Sequence, residues 1–491
     1  MVLQGSNSKS ENSHSSVSTA SLIFPLASQN FSKTCSALKQ STLSATNRLS
    51  SIRRDSLFVQ QVADHYKLPL VANERCGSWY IPLERKAASA YFKSTDGHQG
   101  QWSFSTRRLN LQVLEVVGHH RGCIIVDSTR RGKSMPDALS KTIPIWCAVM
   151  NRLLFPDQGQ DIRLETPTTV VAPSEQSQIE SRLDVFVSDA KRLQLDTSAL
   201  RQTLSGPLRP LFVTPDHPFP DLPSQALVPY HPIVCLTSSH RVHDAENSKS
   251  DYIQGAGDDS ESWSQGLTPS LFWWHKDTLM SATDTELPSL IASFIALEQA
   301  DTLSRPTAPT LITPTATIFV GSHGSIDFDT WDAVVSCSST DQTGNQYTST
   351  RGRPKVLRFP VSQGKIGSRA LRAHLHLLAP FLQPILDSTT SEDAAKSVKI
   401  LFTCPTGTDL AIGTALVALC LFFHDDGSRS NYLAPRDGNE EAQTGKNSPR
   451  VRTNIDKLLI RRRLAWITTA KPGARPSRET LQAVNTCLIG R

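Results

Sequence analysis

Hydrophobic and polar residues follow periodic patterns that predict an α/β protein. Over residues 47–66, apolar side chains recur every three or four positions, which predicts an amphipathic helix. Apolar runs at 316–321, 333–338 and 398–403 predict strands of a later α/β unit. Helices are predicted over 368–386, 412–423 and 451–489. Because strands and helices alternate, we expect a mainly parallel sheet with helices on both faces.

The length and the loop-like segments of the chain predict two domains. A chain of 491 residues exceeds what a single hydrophobic core usually supports. Residues 71–147 are typical of short strands and loops. The segments 156–181 and 204–232 are polar or Pro-rich, which is typical of loops or insertions. The predicted organisation is a disordered tail over 1–35, an N-terminal domain over 36–314 and a C-terminal domain over 315–491 with an insertion at 425–450.

Composition and charge narrow the classes of function. The formal net charge is +6, which suits an anionic partner but does not require one. The nine cysteines form no C-x-x-C pair, so we expect reduced thiols rather than a disulfide framework or a zinc site. No apolar run approaches the ~20 residues of a membrane span. We therefore expect a protein of the cytosol or the nucleus without a membrane partner.

A strand, a cysteine and a glycine turn precede a helix within 398–423, in the order of the phosphate loop of dual-specificity phosphatases. Cys404 ends the strand, Gly407 follows three residues later, and such a loop can surround an oxyanion with backbone N–H groups. The phosphatase pattern has His before the Cys and Arg six residues after it, where this chain has Thr403 and Leu410. Without the bidentate Arg we expect no hydrolysis. A phosphate-binding loop and a purely structural turn both remain open.

Two arginines and a lysine follow the apolar run 123–126 on a turn that contains glycine. Asp127 ends the run, and Arg130, Arg131 and Lys133 come next. The carboxyl ends of buried strands are where α/β sheets bind small ligands. Nearby charged residues that could act with this turn are Lys93, Asp96, His98, Arg107 and Lys141. The alternative interpretation is a solvated basic turn.

The C-terminal segment carries a third, strongly basic cluster. Few acidic residues accompany it, and Trp466 lies within it. Its candidates for contact with a nucleic-acid backbone are Lys457, Arg461, Arg462, Arg463 and Arg475. The alternative is that these side chains form an exposed charged face without a partner.

Several long segments carry a resemblance to a known family. They read LVANERCGSWY, SAYFKSTDGHQGQWSFSTRRLNL, IIVDSTRRGKSMPDALSKTIPIWCAVMNR, YIQGAGDDSESW and CPTGTDLAIG. Together they resemble the initiator-tRNA phosphoribosyl transferase family of fungi and plants, in the family's order and over about residues 47–488. The resemblance implies an N-terminal domain followed by a phosphatase-like domain, whose core here would span about 375–489.

The resemblance also implies an activity. Such enzymes are transferases that move a 5-phosphoribosyl group from phosphoribosyl pyrophosphate to the 2′-hydroxyl of a T-stem adenosine, position 64, of initiator methionine tRNA. The anionic adduct keeps initiator tRNA out of elongation. The expected partners are that tRNA and phosphoribosyl pyrophosphate, with donor-associated Mg²⁺, in the cytoplasm and without an obligate protein partner. The alternative is a catalytically inactive phosphatase-like module that binds RNA.

Such a donor requires binding sites for a pyrophosphate and a 5-phosphate, and the chain offers the loops 127–133 and 404–409. The signature of type I phosphoribosyltransferases is absent, so the usual donor site cannot be mapped. We predict Asp96, Asp127 and Lys133 as catalytic residues, with Asp96 or Asp127 as the base or metal carboxylate. The predicted phosphate-binding residues are Lys93, His98, Arg107, Arg130, Arg131, Lys141, Lys365, Arg369, Cys404, Thr406, Gly407, Thr408 and Asp409. The metal ligands are left unassigned.

Overall fold

A computed structural model of the protein describes eleven stretches of the chain. They are residues 45–95, 100–158, 163–217, 219–221, 230–242, 251–302, 308–323, 330–339, 355–387, 398–430 and 455–490. The predicted tail over 1–35, most of the predicted insertion, and the candidates Asp96 and His98 lie outside the described residues.

A five-stranded parallel sheet forms the centre of the N-terminal part. Its strands are β1 (Leu70–Asn73), β2 (Lys86–Ala90), β3 (Cys123–Asp127), β4 (Leu208–Val213) and β5 (His231–Thr237). Their order in the sheet is β2-β1-β3-β5-β4, and every neighbouring pair is parallel. Both β3 and β5 are buried along their whole length because helices cover the two faces.

Helices cover the first sheet from both sides. They are α1 (Ala45–Tyr66), α2 (Leu111–His120), α3 (Ile143–Leu154), α4 (Pro173–Glu180), α5 (Leu183–Lys191), α6 (Thr197–Gln202), α7 (Ser260–Trp263), α8 (Pro269–Trp274), α9 (Lys276–Ser281) and α10 (Leu287–Thr302). One core includes side chains of α2 and α3, and the opposite core includes those of α1 and α8. This confirms the predicted α/β class and the first helix.

Three parts of this domain differ from the sequence-based expectation. Residues 71–147, predicted as short strands and loops, also contain α2 and the start of α3. The segment predicted as a loop over 156–181 contains α4, and the one over 204–232 contains β4. β4 lies at the edge of the sheet, where Pro210 can be accommodated because an edge strand has one unpaired side. The Pro-rich composition therefore concealed a strand.

A second sheet of five strands forms the centre of the C-terminal part. Its strands are β6 (Thr310–Leu311), β7 (Ile318–Ser322), β8 (Ala333–Cys337), β9 (Lys355–Phe359) and β10 (Ile400–Cys404). The order is β6-β7-β10-β8-β9, with β6 antiparallel and the other pairs parallel. β6 precedes residue 315, at which we predicted the domain to begin.

The helices of the C-terminal part are α11 (Gly364–Ala370), α12 (Leu378–Asp387), α13 (Leu410–Phe422), α14 (Lys457–Ala470) and α15 (Arg478–Ile489). The large core lies between one sheet face and α12 to α15, and α13 is buried almost throughout. A smaller cluster around Trp331 covers the other face. The predicted helix over 451–489 is two helices, because Pro472 and Pro476 interrupt it.

The two parts of the protein contact each other through α14 and the segment that follows it. Ala465 of α14 belongs to the core on the α2 and α3 side of the first sheet. The Nε of Arg462 donates a hydrogen bond to the backbone oxygen of Arg192, at 2.9 Å. This helix therefore fixes how the two sheets are placed relative to each other.

Candidate active site

The carboxyl edge of the first sheet has the geometry of a ligand-binding crevice. β1 lies between β2 and β3 in the sheet. The chain passes from β1 to its neighbour β2 and then returns to the opposite side of β1 to form β3. Ligands of open α/β sheets bind where the strand order reverses in this way. The loop 128–133 begins at this point, so Arg130, Arg131 and Lys133 lie at the edge at which we expected them.

Asp127, at the end of β3, is completely buried and has a full set of hydrogen bonds. Its Oδ1 accepts from the thiol of Cys76 at 2.9 Å and from the backbone N–H of Ser128 at 2.8 Å. Its Oδ2 accepts from Asn73 Nδ2 at 2.8 Å and from Arg75 Nε at 3.2 Å. Four donors occupy the four lone-pair directions of the carboxylate. The geometry therefore supports a structural role for Asp127 rather than the predicted base or metal ligand.

Arg75 connects Asp127 to a second carboxylate, Asp258, that the sequence patterns did not single out. The guanidinium lies 3.3 Å from Asp258 Oδ1 and donates to the backbone oxygen of Ser128 at 2.6 Å. Burial alone would lower the pKa of Arg75, but the charges of Asp127 and Asp258 outweigh burial and raise this pKa. Arg75 and Asp258 lie in segments that carry the family resemblance, which was the one sequence signal that pointed to them.

Asp258 has an unused acceptor. Asp258 is 6% exposed, and its Oδ2 has no hydrogen-bond partner among the described residues. Burial raises the pKa of Asp258, while Arg75 opposes this effect. A buried carboxylate oxygen without a partner is energetically unfavourable and is suited to take a proton or a cation.

The basic turn after β3 is exposed to solvent. Arg130 lies 3.8 Å from Asp259, and both side chains are largely exposed. Lys133 is 46% exposed, with its Nζ 4.0 Å from Asp137. Lys141 differs, because its ammonium lies 2.8 Å from Glu175 and 3.5 Å from Asp137. Of these predicted phosphate ligands, Lys141 is the one held most firmly by acidic neighbours.

The phosphatase-like loop joins β10 to α13 in the second sheet. Cys404 is the last residue of β10 and is 2% exposed. Gly407 has a φ of +65°, and a Cβ there would lie 2.6 Å from the backbone of Gly321. Only glycine fits such a position. The Oγ1 of Thr406 accepts a hydrogen bond from the hydroxyl of Thr408 at 2.9 Å. Leu410 is buried, so the position of the phosphatase arginine belongs to the core.

Asp409 attaches this loop to the start of α15. Its Oδ1 accepts from the backbone N–H of Ser477 at 2.8 Å and from the hydroxyl of Thr480 at 2.6 Å. Its Oδ2 accepts from Ser368 of α11 at 3.3 Å. The carboxylate thus holds three segments together. Lys365 and Arg369 are exposed on α11, on either side of Ser368 in sequence.

Lys471 belongs to the basic C-terminal cluster and lies in the segment 471–475, which contacts this loop. Burial lowers the pKa of Lys471, and the charge of a Cys404 thiolate opposes this effect. The neighbouring Arg475 donates its backbone N–H to the carbonyl oxygen of Thr408 at 2.7 Å. Segment 471–475 supplies positive charge to a loop that lacks the phosphatase arginine.

The arginines of α14 differ in their surroundings. Lys457 and Arg461 are exposed. Arg462 is partly buried, lies 3.1 Å from Asp425 and contacts Arg192. Arg463 is 2% exposed, binds Asp425 at 2.7 Å and the backbone oxygen of Phe423 at 3.0 Å, and stacks on Trp466. A nucleic acid cannot reach Arg463 in this arrangement, so we exclude it from the candidate RNA surface.

A cavity of about 450 Å³ lies between the two domains. The N-terminal domain contributes Lys93, Arg107 and Arg108, and the C-terminal domain contributes Arg475 and Arg478. The structure thus brings together three predicted residues, Lys93, Arg107 and Arg475, which are far apart in sequence. We call this site the interdomain cavity.

The described ranges contain neither a metal-binding cluster of three side chains nor a helix suited to span a membrane. Among those residues, no three His, Cys, Asp or Glu side chains form a group that could hold a metal ion. None of the helices in the described part of the chain is long and apolar enough to cross a membrane.

These features define a class of protein, a two-domain α/β protein. Its first sheet has a basic turn at the carboxyl edge, and its second sheet carries a phosphatase-like loop that lacks the phosphatase arginine. Residues 38–296 match the family model described as the Rit1 N-terminal domain, and residues 355–488 match the one described as the Rit1 DUSP-like domain. The chain therefore belongs to the Rit1 family. This confirms the resemblance inferred from the sequence.

Two relatives match nearly the whole chain. A Saccharomyces cerevisiae protein named tRNA A64-2′-O-ribosylphosphate transferase is 30% identical over 506 residues, which cover 92% of this chain and 93% of the relative. A Schizosaccharomyces pombe protein described as uncharacterized is 35% identical over 455 residues, which cover 90% and 94%. Among solved structures, the Yvh1 phosphatase domain from Chaetomium thermophilum matches 36% of this chain and 94% of its own length, with 17% identity and a TM-score of 0.24. A likeness this low supports no statement about the fold.

Proposed function

We propose that this protein is a tRNA-modifying pentosyltransferase that moves a 5-phosphoribosyl group from phosphoribosyl pyrophosphate to the 2′-hydroxyl of adenosine 64 in initiator methionine tRNA. The observation that carries the proposal is the similarity, over 92% of the chain, to the S. cerevisiae protein named tRNA A64-2′-O-ribosylphosphate transferase. The basic edge of the first sheet supports it, because a donor with a pyrophosphate and a 5-phosphate requires clustered cations. The protein would act in the cytoplasm, where it would distinguish initiator from elongator tRNA.

The donor would bind at the carboxyl edge of the first sheet. Arg130, Arg131 and Lys133 are exposed there and would bind its phosphates. The backbone N–H groups of loop 404–409 would provide a second phosphate site, supported by the tight turn at Gly407 and by the nearby Lys471. In the reaction, the tRNA hydroxyl attacks the anomeric carbon, the bond to the pyrophosphate oxygen breaks, and pyrophosphate leaves with the bonding electron pair.

A carboxylate is needed to accept the proton of the attacking hydroxyl, and we assign this role to Asp258. The carboxylate of Asp127 already accepts four hydrogen bonds. In contrast, Asp258 Oδ2 accepts no hydrogen bond from the residues that the structure describes. Its raised pKa also makes it a better proton acceptor than an ordinary aspartate, provided that it is ionised. Asp96 stays a sequence-based prediction.

Mg²⁺ bound to the donor would neutralise charge on the departing pyrophosphate. Such an ion usually takes most of its ligands from phosphate and water, and only one or two from protein carboxylates. Asp259 fits this requirement, because its carboxylate is 74% exposed at the rim beside Arg130. A single rim carboxylate is also consistent with the lack of a three-residue metal cluster in the described ranges.

The proposal is tested with the purified full-length protein and phosphoribosyl pyrophosphate labelled at its 5-phosphate. We expect label to enter initiator methionine tRNA at one T-stem adenosine, as located by nuclease mapping, and not to enter elongator methionine tRNA. If initiator tRNA binds tightly but takes up no label, the protein is instead the RNA-binding module with an inactive phosphatase-like domain.

A further inference from the structure

The interdomain cavity carries excess positive charge. Its described lining includes five cationic side chains and no aspartate or glutamate. Within the described part of the chain, Lys93, Arg107 and Arg478 have no ion-pair partner. Clustered cations repel one another unless an anion lies between them.

Among the described residues, the one carboxylate that forms an ion pair with a cation of the cavity also binds other groups. Arg475 lies 3.7 Å from Glu74, but Glu74 accepts a shorter contact from Lys86 at 2.7 Å and also binds Ser78. Arg108 stacks over the ring of Tyr91 at 3.6 Å. Burial lowers the pKa of Arg108, Tyr91 opposes this effect, and the positive charges of Arg475 and Arg107 lower the pKa further. The cavity therefore favours an anionic ligand.

The same basic surface continues along α14. Leu464 lines the cavity, and Arg461 and Lys457 precede it by three and seven positions. Residues at this spacing share one face of a helix, and they extend over about 10 Å. Both basic side chains on this face are exposed. A linear polyanion could therefore pass along α14, close to Lys457 and Arg461, and reach the cations of the cavity.

We propose that the interdomain cavity binds backbone phosphates of the acceptor RNA, with cations from both domains. Lys93 and Arg107 would then contact the RNA and not the donor phosphates to which the sequence analysis assigned them. The inference rests on the proposed function for the identity of that RNA. The arrangement favours RNA over the donor because the basic surface is extended along α14, whereas a donor needs a compact site. Because Arg107 and Arg478 belong to different domains, RNA binding here would also hold the two domains in the orientation in which the acceptor faces the first sheet.

The test uses Arg107→Ala and Arg478→Ala, one variant in each domain, in the full-length chain. Arg53→Ala on α1 and Arg372→Ala near α12 are matched controls, because both arginines are exposed outside the cavity. Binding of initiator tRNA is measured without donor at several salt concentrations, and binding of labelled phosphoribosyl pyrophosphate with Mg²⁺ is measured without RNA. Arg478→Lys tests whether the charge itself is required.

We expect each cavity variant to weaken tRNA binding by about tenfold and to lower the slope of log K against log salt by about one. Donor binding should be unchanged, the two controls should match the wild type, and Arg478→Lys should keep the wild-type slope. Unchanged tRNA binding in both cavity variants would overturn the inference. Weakened donor binding with unchanged tRNA binding would also overturn it, because the cavity would then hold a donor phosphate.

The outcomes separate this inference from the proposed function. If the wild type transfers label but the cavity variants bind tRNA normally, the cavity inference fails and the enzyme assignment stands. If no transfer occurs but the cavity variants lose tRNA affinity and salt slope, the RNA site stands and the enzyme assignment fails.

Discussion

The guanidinium of Arg475 lies 3.7 Å from the carboxylate of Glu74, so that one arginine of the C-terminal domain reaches the edge of the N-terminal sheet. The backbone N–H of the same arginine donates to Thr408 in the phosphatase-like loop at 2.7 Å. One residue of the C-terminal domain therefore connects the 404–409 loop to Glu74 at the carboxyl end of β1, the strand that pairs with β3. This connection brings a phosphatase-like loop that lacks the phosphatase arginine next to the N-terminal sheet.

Glu74→Gln should destabilise the protein in a pH-dependent way. Burial alone would raise the pKa of Glu74, but hydrogen bonds from Lys86 and Ser89 outweigh burial and leave this pKa below its ordinary value of 4.5. A depressed pKa stabilises the fold above the ordinary value, and this contribution is lost as pH falls through the depressed pKa. At pH 7 the variant should lose about 1–3 kcal/mol of unfolding free energy. Below pH 4.5 the difference from the wild type should shrink, as measured by denaturant unfolding; a difference independent of pH would contradict the assignment.

Asp258→Asn should separate activity from stability. As the proposed base, Asp258 must be ionised, so the wild-type rate at saturating substrates should fall as pH drops through its raised pKa, at a higher pH than for an ordinary aspartate. The variant should lose about 10²–10⁴-fold in rate. Its unfolding free energy should change by less than about 1 kcal/mol, because Arg75 keeps its ion pair with Asp127 and can still donate a hydrogen bond to the amide oxygen. Wild-type transfer rates in the variant would exclude Asp258 as the base.

Cys404→Ser should leave phosphoribosyl transfer largely intact. The work of the 404–409 loop is assigned to its backbone N–H groups, and the residue at the phosphatase arginine position is the buried Leu410. For the same reason the wild type should not hydrolyse phosphotyrosine, phosphoserine or aryl phosphates. Transfer and phosphate release are measured on the same preparations. Hydrolysis that depends on Cys404, or loss of transfer in a folded serine variant, would show that the thiol reacts.

Arg461→Ala and Arg463→Ala should fail in different ways, although the two residues are neighbours. Arg461 is exposed, so its loss should weaken tRNA binding and lower the salt slope by about one, with normal stability. Arg463 is buried against Asp425 and Trp466, so its loss should cost about 3–5 kcal/mol of unfolding free energy. Thermal unfolding and tRNA titration distinguish the two effects. Equal stability of the variants would contradict the observed burial.

The sequence predicted elements whose signals are local. The apolar run before Asp127 and the basic turn after it predicted a strand end with exposed cations, and the structure has both. The burial of Arg463 also had a local signal. Ile460 and Ile467 mark the buried side of α14, and Arg463 lies three positions after the first and four before the second, which is helical spacing. Three consecutive residues of a helix point in three different directions. Arg461, Arg462 and Arg463 therefore cannot form one continuous charged surface, although the sequence shows them as one basic run.

The contacts that decide the chemistry were not predictable in this way. Arg75 meets Asp127 across 52 positions of sequence and Asp258 across 183. Which loops meet depends on the strand order β2-β1-β3-β5-β4, and periodicity within a single segment does not determine that order. The interdomain cavity depends in addition on how α14 packs against the first domain.

The placement of the donor is tested most directly by Lys133→Ala, with Lys355→Ala as an exposed lysine control on β9. Transfer from labelled phosphoribosyl pyrophosphate and binding of initiator tRNA at two salt concentrations are measured for both variants. We predict that Lys133→Ala lowers transfer at least about thirtyfold, as for loss of a phosphate contact of about 2–5 kcal/mol, and binds tRNA with the wild-type salt slope. Lys133→Ala that loses tRNA binding but keeps wild-type turnover at saturating tRNA would contradict this account, because the turn after β3 would then bind RNA rather than the donor.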